Sequence, residues 1–213
     1  MIVNRHHRME YIFTNIYENN RWGTNENSEY MGSSGGGSSI EYNQDTYVPF
    51  LKEFIVSHNI KSVVDLGCGD FRCGDLIYGD LDILYTGYDA YKKVIDSHSK
   101  TYNPEKYTFH RLDFCNHPHE MVSGDLCIIK DVIQHWSLPN IYRFLDNLVE
   151  NPKFKYILLI NCCDQYEDDT DTMDGGFRPL HTRFLPLKKY NPTPLLYYHS
   201  KEISLIEPYS MLV

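Results

Sequence analysis

Residues 63–70 read VVDLGCGD, a short apolar run that leads directly into a glycine-rich turn. The apolar run predicts a buried strand over 61–66. Gly67 and Gly69 predict a sharp turn after this strand, because a residue without a Cβ atom lets the backbone bend tightly and approach a ligand closely. Ligands of open α/β sheets bind beyond the carboxyl ends of the strands. The stretch therefore predicts an α/β sheet with a ligand site after its first strand.

The rest of the chain alternates between strand-like and helix-like patterns. Further strands are expected at 83–89, 106–112, 125–130 and 155–160. A short amphipathic helix is expected at 9–19 and a helix at 47–58, and the clearest helical stretches between the strands are 90–100 and 139–150. This alternation predicts a parallel sheet with helices on both faces. The last apolar runs, 195–198 and 203–206, predict a closing hairpin with a turn near Ser200-Lys201.

Length and charge limit the classes of function. The chain has 213 residues, which suits one ordinary domain with or without an extension. Its 20 basic and 29 acidic side chains give a formal net charge of −9. Nucleic-acid binding needs a basic footprint, so no nucleic-acid partner is expected. No run of about 18 apolar residues occurs, so no membrane-spanning helix and no membrane partner are expected.

Asp89 is the second residue that points to a ligand. It ends the second expected strand, 24 residues after Asp65 (89 − 65). A carboxylate at this place can accept hydrogen bonds from two ribose hydroxyls. A helix cap is its alternative role. The dinucleotide fingerprint requires a third glycine at position 72, where this chain has arginine, so a nicotinamide cofactor is disfavoured.

In combination, these motifs resemble class I S-adenosylmethionine-dependent methyltransferases over residues 60–165. The turn DLGCG at 65–69 resembles the first motif of that family, and Asp89 matches its ribose-binding acid. Residues 125–136 match its fourth-strand motif. The resemblance implies a Rossmann-like, mostly parallel seven-stranded sheet with an antiparallel last strand. It also implies S-adenosyl-L-methionine as cofactor and S-adenosyl-L-homocysteine as product.

The resemblance further implies which residues hold the cofactor. The expected cofactor-binding set is Asp65, Gly67, Gly69, Asp89, Asp113, Phe114 and Asp131. Asp113 and Phe114, after the third strand, match the acid and the apolar residue that hold the adenine. Their alternative roles are a turn residue and a core residue.

The stretch KDVIQHW at 130–136 contains the expected catalytic residues. His135 is the candidate general base, because an imidazole can remove a proton from a hydroxyl near neutral pH. Asp131 is expected to orient this base or to line the sulfonium pocket. A structural histidine at a helix start is the alternative for His135. No metal is expected, and the alternative is Mg²⁺ held by Asp131 with Asn161 or Asp164.

Two flanking segments suggest where the acceptor binds. Residues 21–39 are rich in Gly, Ser and Asn and are expected to form a lid, with a flexible linker as the alternative. With 130–136 and 174–180, this segment resembles small methyltransferases that occur beside glycan-building enzymes in bacteria and large DNA viruses. The match departs from the pattern at 181–183, HTR. The candidate substrate residues are Trp22, Trp136 and Arg178.

The sequence thus predicts an N-terminal helix and lid over 1–45 and a cofactor-binding domain over 46–213. The expected reaction is methyl transfer to a hydroxyl of a sugar or glycan precursor. The alternatives are methylation of a protein side chain or another small molecule, and a cofactor-binding partner subunit without catalysis. The first residues lack the apolar core of about 7–15 residues that a secretory signal carries. The expected location is the cytoplasm, that of the host if the source is viral, where six cysteines stay reduced.

Overall fold

The computed structural model describes residues 8–26, 29–164 and 170–211. Its seven strands are β1 Ser62–Leu66, β2 Leu84–Asp89, β3 Tyr107–Arg111, β4 Gly124–Lys130, β5 Phe154–Cys162, β6 Thr193–Tyr198 and β7 Lys201–Ile206. Its α-helices are α1 Arg8–Glu18, α2 Ile40–Asn43, α3 Tyr47–Ser57, α4 Gly74–Tyr78, α5 Lys92–Thr101 and α6 Leu138–Glu150. No helix in the described part of the chain is both long and apolar enough to cross a membrane.

The strands form one sheet in the order β3-β2-β1-β4-β5-β7-β6. Strand β2 pairs in parallel with β1 and β3, and β4 pairs in parallel with β5. Strand β7 is antiparallel to both of its neighbours, β5 and β6. The expected mostly parallel seven-stranded sheet with an antiparallel last strand is therefore confirmed. The chain divides into two units, residues 1–113 and residues 114–213; the expected functional boundary at residue 45 stays a prediction.

In the first unit, apolar periodicity explains the elements. Helix α3 buries Leu51, Phe54 and Ile55 on one face, as helical spacing requires. Strand β1 buries Val63 and Val64 among its five residues. Each such side chain contributes roughly 1.5–3 kcal/mol when it is fully removed from water. The glycine turn at the carboxyl end of β1 is therefore held by a well-buried strand.

In the second unit, β5 is deeply buried, and Ile157, Leu158, Leu159 and Ile160 are all inaccessible to solvent. A continuous apolar run of this kind is typical of a strand covered on both faces. Between β5 and β6, the described residues contain one 3-10 turn, Leu187–Tyr190, and no α-helix.

The turn of the last hairpin lies one residue earlier than expected, and this changes the position of Lys201. The sequence predicts the hairpin turn near Ser200-Lys201, but the structure has the turn at His199-Ser200. His199 has a φ of 49°, in the left-handed region that tight turns use. As a result Lys201 is the first residue of β7, and its side chain is buried rather than exposed in a turn.

Candidate active site

The glycine turn after β1 is fixed by the backbone of β2. Gly67 and Gly69 have φ values of 86° and 52°, which side chains rarely allow. The backbone N–H groups of Gly67 and Cys68 both donate to the Tyr88 carbonyl, at 2.8 and 3.0 Å. On the other side, the Gly69 carbonyl accepts a 2.8 Å hydrogen bond from His98 Nε2. The turn is therefore a rigid element with two glycines where the conformation requires them.

Asp89, at the end of β2, joins this turn to the start of α5. Its two carboxylate oxygens accept hydrogen bonds from the backbone N–H groups of Gly69 at 3.1 Å and Tyr91 at 2.8 Å. Helix α5 has its N-cap at Tyr91, so Asp89 is not the capping residue. Burial raises the pKa of Asp89 to about 6, although these backbone donors oppose the rise. A buried carboxylate with this pKa is ionised near neutral pH and can accept further hydrogen bonds.

The N-terminal segment contacts the same turn through a latch of three residues, Tyr17, Ser34 and Asp70. Ser34 and Asp70 bond reciprocally: Ser34 N donates to Asp70 Oδ2 at 3.0 Å, and Asp70 N donates to Ser34 Oγ at 2.8 Å. The Tyr17 hydroxyl lies 2.7 Å from Ser34 Oγ. The Tyr17 ring stacks on Tyr91 with a centroid distance of 4.6 Å. These contacts hold the Gly/Ser-rich segment against the glycine turn, and its role as a lid stays a prediction.

The latch occupies the space that the missing side chain of Gly69 leaves. A Cβ atom on Gly69 would lie 2.2 Å from Ser34 Oγ and 3.3 Å from the Tyr17 hydroxyl. Sequence reasoning attributed this glycine to close approach of a ligand. In the structure, the close approach is made by the protein's own N-terminal segment.

Replacing Gly69 by alanine should therefore open the latch. The variant should lose about 1–3 kcal/mol of unfolding free energy, the cost of a non-glycine residue in a strained conformation. Urea unfolding measures this loss, and amide exchange should become faster at residues 29–39. The matched control is Gly36→Ala, because a Cβ on Gly36 meets nothing within 4 Å. Equal stability and exchange in the two variants would contradict the latch.

Three further carboxylates of the first unit are Asp65 and Asp113, which were expected to bind the cofactor, and Asp70, which was not in the expected set. Asp65 Oδ2 accepts a 2.8 Å hydrogen bond from the Tyr85 hydroxyl. Asp113 is buried at the end of this unit. Asp70 Oδ2 also lies 3.1 Å from Arg72 Nε, but Asp70 Oδ1 is buried and has no hydrogen-bond partner among the described residues. A buried carboxylate oxygen of this kind is costly unless a donor reaches it. It therefore fits a ligand with an ammonium group, as the aminocarboxylate end of S-adenosylmethionine has.

In the second unit, Asp131 follows β4 and is surrounded by cations. Its carboxylate accepts from Lys130 Nζ at 2.7 Å and is ion-paired with Lys201 Nζ. Its other oxygen accepts from Gln134 Nε2 at 3.3 Å. Burial pushes the pKa of Asp131 up, but the two ammonium groups outweigh it and hold that pKa below its ordinary value. The carboxylate thus pairs with two lysines, which disfavours the alternative of Mg²⁺ at Asp131 with Asn161 or Asp164.

His135 lies in the 3-10 turn Ile133–His135, and its tautomer follows from its partner. Nδ1 is 2.7 Å from the Gly176 carbonyl oxygen, which can only accept, so Nδ1 carries the proton. The lone pair is then on Nε2, which lies 3.5 Å from Gln134 Nε2. Burial lowers the pKa of His135, against the Gly176 hydrogen bond and the Asp131 charge. A neutral imidazole with its lone pair on Nε2 is the form that a general base requires.

Residues 171–178, which follow β5 in the chain, pack against His135 and the start of α6. Gly175 N donates to the His135 carbonyl at 2.8 Å, and the exposed Phe177 ring lies 5.8 Å from the His135 ring. Arg178 N donates to the Gln134 carbonyl at 3.0 Å, and Arg178 Nη1 donates to Asp171 at 2.8 Å. Arg178 is 5% exposed, and its Nε and Nη2 have no partner among the described residues.

The two tryptophans expected to contact the substrate, Trp136 and Trp22, pack against other aromatic side chains of the protein. Trp136 is 2% exposed and packs between Phe114 and Phe144, at centroid distances of 5.8 and 5.2 Å. Its ring is a core element and not a surface on which a substrate could stack, and Phe114 belongs to the same core. Trp22 packs on Phe13 and Tyr17 and anchors the N-terminal segment in the first unit. The exposed aromatic residue beside His135 is Phe177, which sequence reasoning passed over.

Several methyltransferases are among the solved structures that this chain resembles. The methyltransferase domain of bacterial CtHen1-C is 15% identical with a TM-score of 0.58, and the match covers 79% of this chain and 98% of that one. For mitomycin 7-O-methyltransferase MmcR the identity is 13%, the TM-score 0.55 and the coverage 81% and 61%. A third match is ChlM, the magnesium protoporphyrin IX methyltransferase of Synechocystis PCC 6803 with bound SAH. It is 12% identical with a TM-score of 0.53, and the match covers 78% of this chain and 84% of that one.

No protein-family model matches the sequence, and no curated protein does. At the identities of the structural matches, the likeness establishes the fold. The chain therefore has the Rossmann-like fold of class I S-adenosylmethionine-dependent methyltransferases.

Proposed function

We propose that this protein transfers a methyl group from S-adenosyl-L-methionine to a hydroxyl of a sugar or glycan precursor. The observation that carries the proposal is His135, a partly buried neutral imidazole whose Nδ1 proton is engaged by Gly176 and whose Nε2 lone pair can accept a proton. Among the similar structures is one whose name states an O-methyltransferase activity. Besides positioning the two reactants, an enzyme that methylates a hydroxyl benefits from a base that accepts the hydroxyl proton.

Residues of the first unit would bind the cofactor. Asp89 would accept the ribose hydroxyls, because its carboxylate is ionised near neutral pH and is held in place by Gly69 and Tyr91. Asp70 Oδ1 would accept from the ammonium group of the aminocarboxylate end. When bound, S-adenosylmethionine supplies a methyl group that its sulfonium has already activated. The latch of Tyr17, Ser34 and Asp70 would keep water away from this region.

Residues of the second unit would act on the acceptor. Nε2 of His135 would take the hydroxyl proton, which adds roughly 10²–10⁴-fold to the rate. Gly176 keeps the imidazole in the required tautomer. Phe177, 55% exposed beside the imidazole, offers an apolar face against which the C–H face of a sugar ring can pack. This exposed ring, rather than Trp136, supports a sugar as the acceptor.

The cofactor is tested by thermal unfolding with added ligands. At 100 times its dissociation constant, S-adenosylmethionine should add about 2.7 kcal/mol of stability. For a chain of this size, this raises the melting temperature by roughly 5–11 °C, at about 2–4 °C per kcal/mol. S-adenosylhomocysteine should act similarly, and NAD should have no effect. A rise with NAD alone would exclude the proposed cofactor.

The acceptor is tested with S-adenosylmethionine labelled in the methyl group. Separate reactions would contain free sugars, nucleotide sugars, a mixed peptide pool and an RNA oligonucleotide. Label in a sugar pool, stable to mild base as an ether is, supports the proposal. Label in peptide alone would exclude the sugar acceptor and leave the cofactor intact. No label in any pool, with normal cofactor binding, would favour a partner subunit without catalysis.

A further inference from the structure

Lys201 is a buried lysine that the proposed reaction does not yet use. It begins β7, lies opposite Cys162 of β5 and is 2% exposed. Its ammonium group is ion-paired with the Asp131 carboxylate. Moving an ammonium group out of water is costly unless a well-placed partner compensates for it. The position of Lys201 therefore depends on Asp131, and the position of Asp131 depends on Lys201.

Asp131 has a backbone conformation that needs such support. Its φ is 58°, in the left-handed region, where a non-glycine residue costs about 1–3 kcal/mol. Its backbone N–H donates to the Ile160 carbonyl at 2.9 Å, and its side chain bonds Lys130 at 2.7 Å in addition to Lys201. Strain of this kind persists only where the surroundings determine the conformation, and at functional sites it positions a group for chemistry.

Gln134 connects this ion cluster to His135. Its Oε1 accepts from the backbone N–H of Cys162 at 2.8 Å, which fixes the orientation of the amide. Its Nε2 then points to Asp131 Oδ1 at 3.3 Å and to His135 Nε2 at 3.5 Å. The side chain is buried and bonded at both ends. A displacement of Asp131 would therefore be transmitted to the nitrogen that is to accept the proton.

We infer that Lys201 is a positioning residue that holds the Asp131 carboxylate and, through Gln134, sets the environment of His135 Nε2. The role of His135 as a general base rests on the proposed function. The link from Lys201 through Asp131 and Gln134 to His135 rests on the observed contacts. The charged groups that act on the imidazole are Asp131, which follows β4, and Lys201 on β7. Burial and the Lys130 charge lower the pKa of Lys201 to about 8, and the Asp131 charge opposes them. Lys201 is thus protonated at neutral pH.

The test measures the pKa of His135 by NMR, from the imidazole Cε1–H signal assigned through its loss in His135→Gln. Lys201→Met should raise this pKa, because a repelling cation is lost and the Asp131 charge is left less compensated. Lys201→Arg, which keeps the charge, should restore most of the native value. The control is Lys189→Met, which removes a lysine paired with Asp146 at the surface and should leave the His135 pKa unchanged. An unchanged pKa in Lys201→Met overturns the inference.

Breaking a buried ion pair can prevent folding, at a cost of about 3–5 kcal/mol. The test then compares two other variants, Asp131→Asn and the double variant Asp131→Asn/Lys201→Met. In both of them the Asp131 carboxylate is absent, so removal of Lys201 leaves no unpaired carboxylate. If Lys201 acts mainly through Asp131, the two variants should differ in His135 pKa by less than Asp131→Asn differs from the native protein. A larger difference would mean that Lys201 acts directly on the imidazole and would overturn the positioning role. This titration needs no methyl transfer, so its outcome is separate from that of the proposed function.

Discussion

Replacement of His135 by alanine should slow methyl transfer about 100- to 10,000-fold, the contribution expected of a general base. Affinity for S-adenosylmethionine should change little, because the imidazole serves the acceptor. His135→Gln should be nearly as slow, since an amide can form a hydrogen bond but cannot take up the proton. Single-turnover rates with the labelled cofactor and an active sugar acceptor measure this, with folding checked by circular dichroism.

The pH dependence of the native rate gives a second measurement of the same residue. Burial holds the pKa of His135 below its ordinary value of 6.5, so the imidazole is neutral at pH 7. The rate should rise with pH up to that pKa and stay level above it. His119→Ala is the matched control, because the His119 side chain is mostly exposed. Turnover of His135→Ala within about threefold of the native rate would place the base elsewhere, since a general base contributes at least about 10²-fold.

The glycine turn and Asp89 were predictable from the sequence because their signals are local. A buried strand followed by Gly67 and Gly69 has few other interpretations, and Asp89 occupies the corresponding end of the next strand. The structure adds the reason why these residues act together, which is the hydrogen bond from Gly69 to the Asp89 carboxylate. That contact joins two loops and depends on the register of β1 with β2, which local patterns do not specify.

Lys201 could not be predicted, because its role depends on a contact with Asp131, 70 residues earlier. A hairpin turn placed one residue too late puts Lys201 in solvent. Successive residues of a strand point to opposite faces of the sheet, so such a shift also reverses the direction of each side chain. The direction of the Lys201 side chain is set by the pairing of Lys201 with Cys162. This pairing depends on the register between β7 and β5, which are distant in sequence.

Residue type alone also failed to separate surface from core. Trp136 and Phe177 are both aromatic and both follow strands, yet one is in the core and the other is exposed beside His135. Similarly, Ser34 belongs to a run whose composition is typical of linkers, whereas its hydroxyl and backbone N–H both bond Asp70. Neighbouring elements determine these differences, and no sequence window of a few residues contains them.

Asp89→Ala should weaken S-adenosylmethionine binding by about 1.5–3 kcal/mol, the range for hydrogen bonds to a charged group, or about 10- to 150-fold. Calorimetric titration of the folded variant measures the change. The matched control is Asp96→Ala, an exposed acid on α5 that pairs with Lys92 and should bind the cofactor normally. Unchanged affinity in Asp89→Ala would leave this carboxylate with only a structural role between Gly69 and Tyr91.

The pH dependence of binding separates these two roles. Because burial raises the pKa of Asp89 to about 6, the carboxylate is ionised above that pH and protonated below it. Protonation removes an acceptor, so the native affinity for the cofactor should be constant above about pH 7 and should fall as the pH decreases through 6. Asp89→Asn keeps the shape of the side chain but cannot ionise, and its weaker affinity should lack this fall. If the fall persists in Asp89→Asn, another group titrates and Asp89 does not hold the ribose.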